Sequence, residues 1–101
     1  MVKKDYLEQK GEINTQIKHI VNRLREEREK QRISQMDLSF QAGLSQNLVN
    51  YIETGKRTPN LYSLLSICNA LQISPAALFE PENNEREEAR ETIVRLVSRF
   101  M

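Results

Sequence analysis

Three side-chain amides and one phenol occur within a six-residue stretch, and these groups suit hydrogen bonding rather than catalysis. An asparagine or glutamine amide carries a donor beside an acceptor, so it can bind an adenine edge bidentately in the major groove of DNA. The alternative is an ordinary solvated helix face, which more often carries lysine and glutamate, as this chain does elsewhere. We therefore predict that the stretch reads DNA bases through Gln46, Asn47, Asn50 and Tyr51.

Two short helices joined by a tight turn are predicted to position these side chains, over residues 34–54. Ser34 and Ser45 suit N-cap positions, because a hydroxyl there accepts a hydrogen bond from an orphan amide of the first turn. Gly43 suits the left-handed residue that commonly ends a helix. Val49 and Ile52, three residues apart, share the inner face of the second helix and leave the amides facing outward. This arrangement is the helix-turn-helix pattern, which lays its second helix in the major groove.

A longer helix is predicted before this unit, from Ile13 to about Gln31, because apolar residues recur there at helical spacing. They are Ile13, Ile17, Ile20, Val21 and Leu24. Arg28 follows on the same face, where a charge is costly unless it is paired. Glu53, at the inner end of the third helix, is the expected partner. Residues 1–12 are polar and are expected to form a lead, either an unstructured leader or an arm that grips DNA.

Two further helices are predicted downstream, from Leu61 to Leu71 and from Pro75 to about Phe79. Asn60 is the expected cap of the first, and a proline suits the first position of the second. The predicted core stripe of the fourth helix is Leu61, Leu64, Leu65, Cys68 and Leu71. Because Cys68 lies on this stripe, we expect a buried small residue rather than a redox sensor or a metal ligand.

Residues 85–101 favour helix by composition and are predicted to form an added amphipathic helix. Its apolar stripe is Ala89, Ile93, Leu96, Val97, Phe100 and Met101. The core of the preceding domain is already closed, so this stripe needs another surface. We expect it to pair with the same helix of a second chain and form a homodimer. Packing back against Phe40, Ile67 or the first helix is the open alternative.

Several short motifs along the chain point to one known family. They are Ser34-Gln35, Ala42-Gly43-Leu44, Ser45-Gln46, Ile52-Glu53, the loop Gly55-Lys56-Arg57-Thr58-Pro59, and Ile73-Ser74-Pro75. Together they make the stretch from Ile20 to Pro81 resemble the phage-repressor-like, or XRE/Cro-type, helix-turn-helix family. One departure is Ser39-Phe40, where that family usually places an alanine and a polar residue. We expect Phe40 to pack on something outside the usual fold.

The resemblance implies an all-α, five-helix domain at residues 13–81 that binds double-stranded DNA. It implies an ion pair between an arginine of helix one and a glutamate of helix three, which here are Arg28 and Glu53. It also implies phosphate contacts from the start of helix two and from the loop after helix three. The candidates for phosphate contact are Gln35, Ser45, Lys56 and Arg57. Such contacts orient a protein on DNA without reading the sequence.

Composition sets limits on the remaining possibilities. A chain of 101 residues accommodates one domain. Because the formal net charge is only +1, any attraction to phosphate must come from local placement of basic groups. No apolar run approaches the roughly 18 residues that a membrane span needs. No apolar signal segment follows the first lysines, and the single cysteine fits a reducing compartment. We therefore expect a cytoplasmic protein.

Catalysis, cofactors and metal sites are not expected. His19 is the only histidine and has no evident serine or cysteine partner, and the chain carries no glycine-rich phosphate loop and no metal-ligand cluster. No small-molecule site is evident either. We predict a sequence-specific, double-stranded-DNA-binding transcriptional regulator, expected to be a repressor and a dimer. The alternative is a protein-interaction module, such as the antitoxin of a toxin–antitoxin pair.

Overall fold

The structure is a computed structural model that describes residues 5–80. This part of the chain contains five helices. In chain order they are α1 (Tyr6–Lys30), α2 (Gln35–Ala42), α3 (Gln46–Glu53), α4 (Leu61–Leu71) and α5 (Pro75–Leu78). No strand occurs among these described residues, so the predicted all-α, five-helix architecture is confirmed. The added helix predicted at residues 85–101 lies outside them.

One hydrophobic core joins all five helices. α2 packs against α3 and α4, while α1 packs against α3, α4 and α5. Helices of eight residues or fewer are unstable alone in water, so α2, α3 and α5 depend on this shared core for their stability. The buried apolar residues at its centre are Val21, Leu24, Leu38, Val49, Ile52, Ile67, Cys68, Leu71 and Leu78.

The first helix begins seven residues earlier than the apolar periodicity predicted. It starts at Tyr6, and the side chain of Asp5 caps it by accepting a hydrogen bond from the Glu8 amide at 2.8 Å. Most of the expected polar lead is therefore helical. The expectation failed because residues 6–12 contain good helix formers but lack the apolar spacing on which it relied. Tyr6 and Leu7 remain exposed, so the first turns of α1 extend beyond the core.

The fourth helix has the predicted bounds, and Leu64, Cys68 and Leu71 of its predicted stripe pack in the core, but the buried face is rotated from that stripe. Leu61 and Leu65, both expected inside, are 71% and 44% exposed, whereas Ile67 is 2% exposed. The buried face is Ser63, Ile67, Cys68 and Leu71. Leucines or isoleucine occur on both sides of this helix, so apolar spacing alone could not fix its rotation. Cys68 is buried as expected, and Ile67 beside it is buried as well.

The turn between α2 and α3 fixes the approach of the two helices. The Ser34 hydroxyl accepts from the Asp37 amide at 3.0 Å, and the Ser45 hydroxyl accepts from the Leu48 amide at 3.1 Å. Gly43 adopts the left-handed conformation, with φ of 69°, and ends α2. The Leu44 amide donates to the Ser39 carbonyl at 2.9 Å. The turn thus has the capped, glycine-terminated form that the sequence predicted.

Candidate nucleic-acid interface

The outer face of α3 carries the polar side chains predicted to read bases. Val49 and Ile52 are almost fully buried, which sets the rotation of the helix. Gln46, Asn47 and Tyr51 are exposed, while Asn50 is half-buried. The first turn of α3 therefore presents two amides to solvent, and the last turns present a phenol beside a partly covered amide.

The loop after α3 brings two basic side chains next to this face. The Lys56 ammonium lies 5.5 Å from the centre of the Tyr51 ring, a distance suited to a cation–π contact. The Arg57 amide donates to the Tyr51 carbonyl at 3.1 Å, so the loop folds back on the helix. Gly55 adopts a φ of 79°, which allows this reversal. Lys56 and Arg57 are both exposed and can meet an anion.

An ion pair between α1 and α3 supports the interface from behind. Nε of Arg28 donates to Oε2 of Glu53 and a terminal nitrogen donates to Oε1, both at 2.8 Å. The second terminal nitrogen of Arg28 donates to the Ile33 carbonyl at 2.7 Å. The two side chains are only 12% and 6% exposed. The hydrogen bond to Glu53 raises the pKa of Arg28, which keeps the guanidinium charged.

Gln35 connects this ion pair to the outer face of α3. Its Nε2 donates to Oε1 of Glu53 at 3.4 Å, and its Oε1 accepts from Nδ2 of Asn50 at 3.2 Å. The sequence predicts a phosphate contact for Gln35 and a base contact for Asn50, and it predicts no contact between these two side chains. The structure brings them together, because the first turn of α2 lies against the last turns of α3. The two amides are fifteen residues apart, and no local spacing rule signals such a contact.

Two other polar contacts of α1 were also missed. Nε2 of Gln31 donates to the Leu71 carbonyl at 2.8 Å, and Arg23 donates to the Ala77 carbonyl at 3.3 Å. Both satisfy carbonyls at or near the ends of α4 and α5, where helices leave backbone acceptors unpaired. These bonds join the C-terminal half of α1 and its cap residue to α4 and α5. Ser45, the remaining predicted phosphate ligand, is exposed and uses its hydroxyl as the cap of α3.

Nothing in residues 5–80 indicates a metal or catalytic centre. No group of three histidine, cysteine or carboxylate side chains suited to a metal occurs among them. Burial raises the pKa of the Cys68 thiol, which keeps it protonated and unreactive. Across the described helices, none is long and apolar enough to span a bilayer.

Comparison with known proteins identifies this arrangement. A sequence model of a family described as helix-turn-helix matches residues 24–78, more than half of the chain. The chain belongs to the XRE/Cro-type helix-turn-helix family. Members of this family are DNA-binding transcriptional regulators and not enzymes, which confirms the resemblance and the prediction that the chain has no enzymatic activity.

Two relatives show the extent of the likeness. An uncharacterized HTH-type transcriptional regulator, y4dL of Sinorhizobium fredii (strain NBRC 101917 / NGR234), is 42% identical over 55 residues. That match covers 54% of this chain but only 28% of y4dL. The crystal structure of the restriction-modification controller protein C.AhdI from Aeromonas hydrophila superposes with a TM-score of 0.58 at 35% identity. It covers 61% of this chain and 94% of C.AhdI.

Proposed function

We propose that this chain is a sequence-specific transcriptional repressor that reads double-stranded DNA with α3. The observation that carries the proposal is the pair of exposed amides, Gln46 and Asn47, on the first turn of a helix that the domain holds by its other end. In the helix-turn-helix motif, the N-terminal residues of the recognition helix contact base edges. Asn50 and Tyr51 extend the same face toward the loop.

Phosphate contacts flank this reading face. Lys56 and Arg57 follow α3, and Gln35 and Ser45 open α2 and α3. Basic groups neutralise phosphate, and polar groups at helix N-termini donate hydrogen bonds to it. The formal net charge is only +1, so these local groups supply the attraction that bulk charge does not.

The repressor acts in the cytoplasm as a homodimer held by residues 85–101. Helix-turn-helix dimers bind two half-sites about one helical turn apart, which doubles the contacts of a small domain. The core supports this assignment, because within residues 5–80 the buried apolar residues from Val21 to Leu78 already join all five helices in one cluster. Ile67 and Phe40 were named as surfaces on which residues 85–101 could pack back in a monomer. Ile67 is buried, whereas Phe40 is 87% exposed.

Selection of bound duplexes from random DNA tests the function directly. We expect an enriched, two-fold symmetric site whose half-site spacing matches about one helical turn. No enrichment would overturn the proposal and favour a protein-interaction module such as an antitoxin.

Sedimentation of the full chain and of a truncation lacking residues 85–101 tests the dimer. We expect the full chain to sediment as a dimer and the truncation to sediment as a folded monomer that binds the operator more weakly. A monomeric full chain would instead indicate back-packing. A truncation that does not fold would assign the stripe to the core.

A further inference from the structure

The chain of hydrogen bonds from Arg28 to Asn50 has a direction. An ionised carboxylate only accepts hydrogen bonds, and both oxygens of Glu53 already accept from Arg28. Any amide that approaches Oε1 of Glu53 must therefore present its NH₂ group. This requirement turns Nε2 of Gln35 toward Glu53 and leaves Oε1 of Gln35 on the other side.

The orientation of Gln35 then sets that of Asn50. Oε1 of Gln35 is an acceptor, so Asn50 must turn its NH₂ group toward it, as the 3.2 Å contact shows. Reversing Asn50 would bring two carbonyl oxygens together. Reversing both amides would place the Gln35 oxygen against the Glu53 carboxylate. Each reversal costs at least one hydrogen bond, so the half-buried Asn50 holds a single orientation.

We infer that Gln35 is a positioning residue that fixes Asn50 as a hydrogen-bond acceptor toward DNA. Within residues 5–80, no donor reaches Oδ1 of Asn50, so this oxygen remains available. The inference rests on the proposed function and deepens it by naming the kind of base edge from which Asn50 accepts a hydrogen bond. An Oδ1 oxygen that meets a base edge matches an exocyclic amine, which in the major groove means adenine N6 or cytosine N4. It opposes the O6 of guanine and the O4 of thymine, which are acceptors themselves, while the second N–H of the Asn50 amide can donate to a neighbouring acceptor such as adenine N7.

The contrast with Asn47 makes the inference specific. Asn47 has the same side chain, is exposed, and has no partner among the described side chains, so its amide can turn either end outward. A free amide accommodates both amine and carbonyl edges by rotation. We therefore expect Asn50 to discriminate between amine and carbonyl edges more sharply than Asn47 does.

The orientation can be tested in the free protein, without DNA. Exchange of the side-chain amide protons with water is measured by NMR for Asn50, with Asn47 as the internal reference. We expect slower exchange at Asn50 than at Asn47, and a several-fold acceleration at Asn50 alone in Gln35→Met, which keeps the volume but removes both hydrogen bonds. Equal exchange at Asn50 and Asn47 in the parent protein would overturn the inference.

The reading itself is tested on duplexes varied one base pair at a time. Asn50→Ala first identifies the base pair whose preference depends on Asn50. At that pair we expect the parent protein to favour amine over carbonyl edges about tenfold, a value within the usual range for one good contact. Gln35→Met should reduce that preference to about twofold and leave the other positions unchanged.

The outcomes separate this inference from the proposed function. If Gln35→Met lowers the affinity for every duplex by the same factor, Gln35 contacts phosphate only and the positioning role is wrong, while sequence-specific binding stands. If the parent protein prefers no duplex at all, the proposed function fails and the reading by Asn50 fails with it.

Discussion

The two ends of α3 differ in how firmly the domain holds them. At the C-terminal end, Glu53 and Asn50 are bonded to Arg28 and Gln35, and the helix is anchored to both α1 and α2. At the N-terminal end, Gln46 and Asn47 are exposed and have no bonded partner among the described side chains. One eight-residue helix thus separates two tasks, because its last turns secure it to the domain and its first turn stays available to a ligand.

The largest effect is expected from removing one partner of the ion pair at the anchored C-terminal end of α3. Arg28→Ala or Glu53→Ala leaves a mostly buried charge without its partner, and we expect a loss of about 3 kcal/mol in the free energy of unfolding. Urea denaturation followed by circular dichroism measures this loss. A double substitution, Arg28→Met with Glu53→Leu, should recover much of it, because apolar side chains of similar size carry no stranded charge. Single variants that unfold at the parental urea concentration would mean that the pair contributes little.

Substitutions at the free N-terminal end of α3 should weaken DNA binding without lowering the stability of the fold. We expect Gln46→Ala or Asn47→Ala to cost about 1–3 kcal/mol in binding to the preferred duplex and to relax preference at one or two base pairs. The urea midpoint should stay unchanged, since neither side chain contacts the core. Titration of specific and random duplexes checks this. Equal losses on both would contradict base reading, and a shifted midpoint would contradict the division between the two ends.

The sequence predicted the free end of α3 fully and the anchored end in part, since it indicated the pairing of Arg28 with Glu53 but not the bond between Gln35 and Asn50. Capping serines, Gly43 and the inward spacing of Val49 and Ile52 are local signals, and they placed Gln46 and Asn47 outside correctly. The bond between Gln35 and Asn50 depends on how α2 crosses α3, which no spacing within either helix encodes. The predicted face of α4 was only partly right for a related reason, because Leu61 and Ile67 are equally apolar and only tertiary packing chooses between them.

The turn that sets the position of the free end should be sensitive to backbone strain. Gly43 has φ of 69°, a conformation that a side chain adopts at a cost, so we expect Gly43→Ala to lower the free energy of unfolding by about 1 kcal/mol. Gly11→Ala is the matched control. Gly11 lies within α1, nothing lies within 4 Å of an added Cβ, and alanine favours helix more than glycine does. Both variants are compared by urea denaturation, and a loss in Gly11→Ala as large as in Gly43→Ala would contradict the strain argument.

The smallest effect is expected from Lys56, which lies beside α3 but outside both of its ends. Lys56→Ala should weaken binding to all duplexes by a similar factor and reduce the slope of log affinity against log salt by about one, because one fewer counterion is released. Lys10→Ala removes the same charge from an exposed position on α1, outside the proposed interface, and should leave that slope unchanged. Affinities are measured for specific and random duplexes at two or more salt concentrations. A change in the ranking of duplexes would mean that Lys56, or the Tyr51 ring that it covers at 5.5 Å, reads bases rather than phosphate.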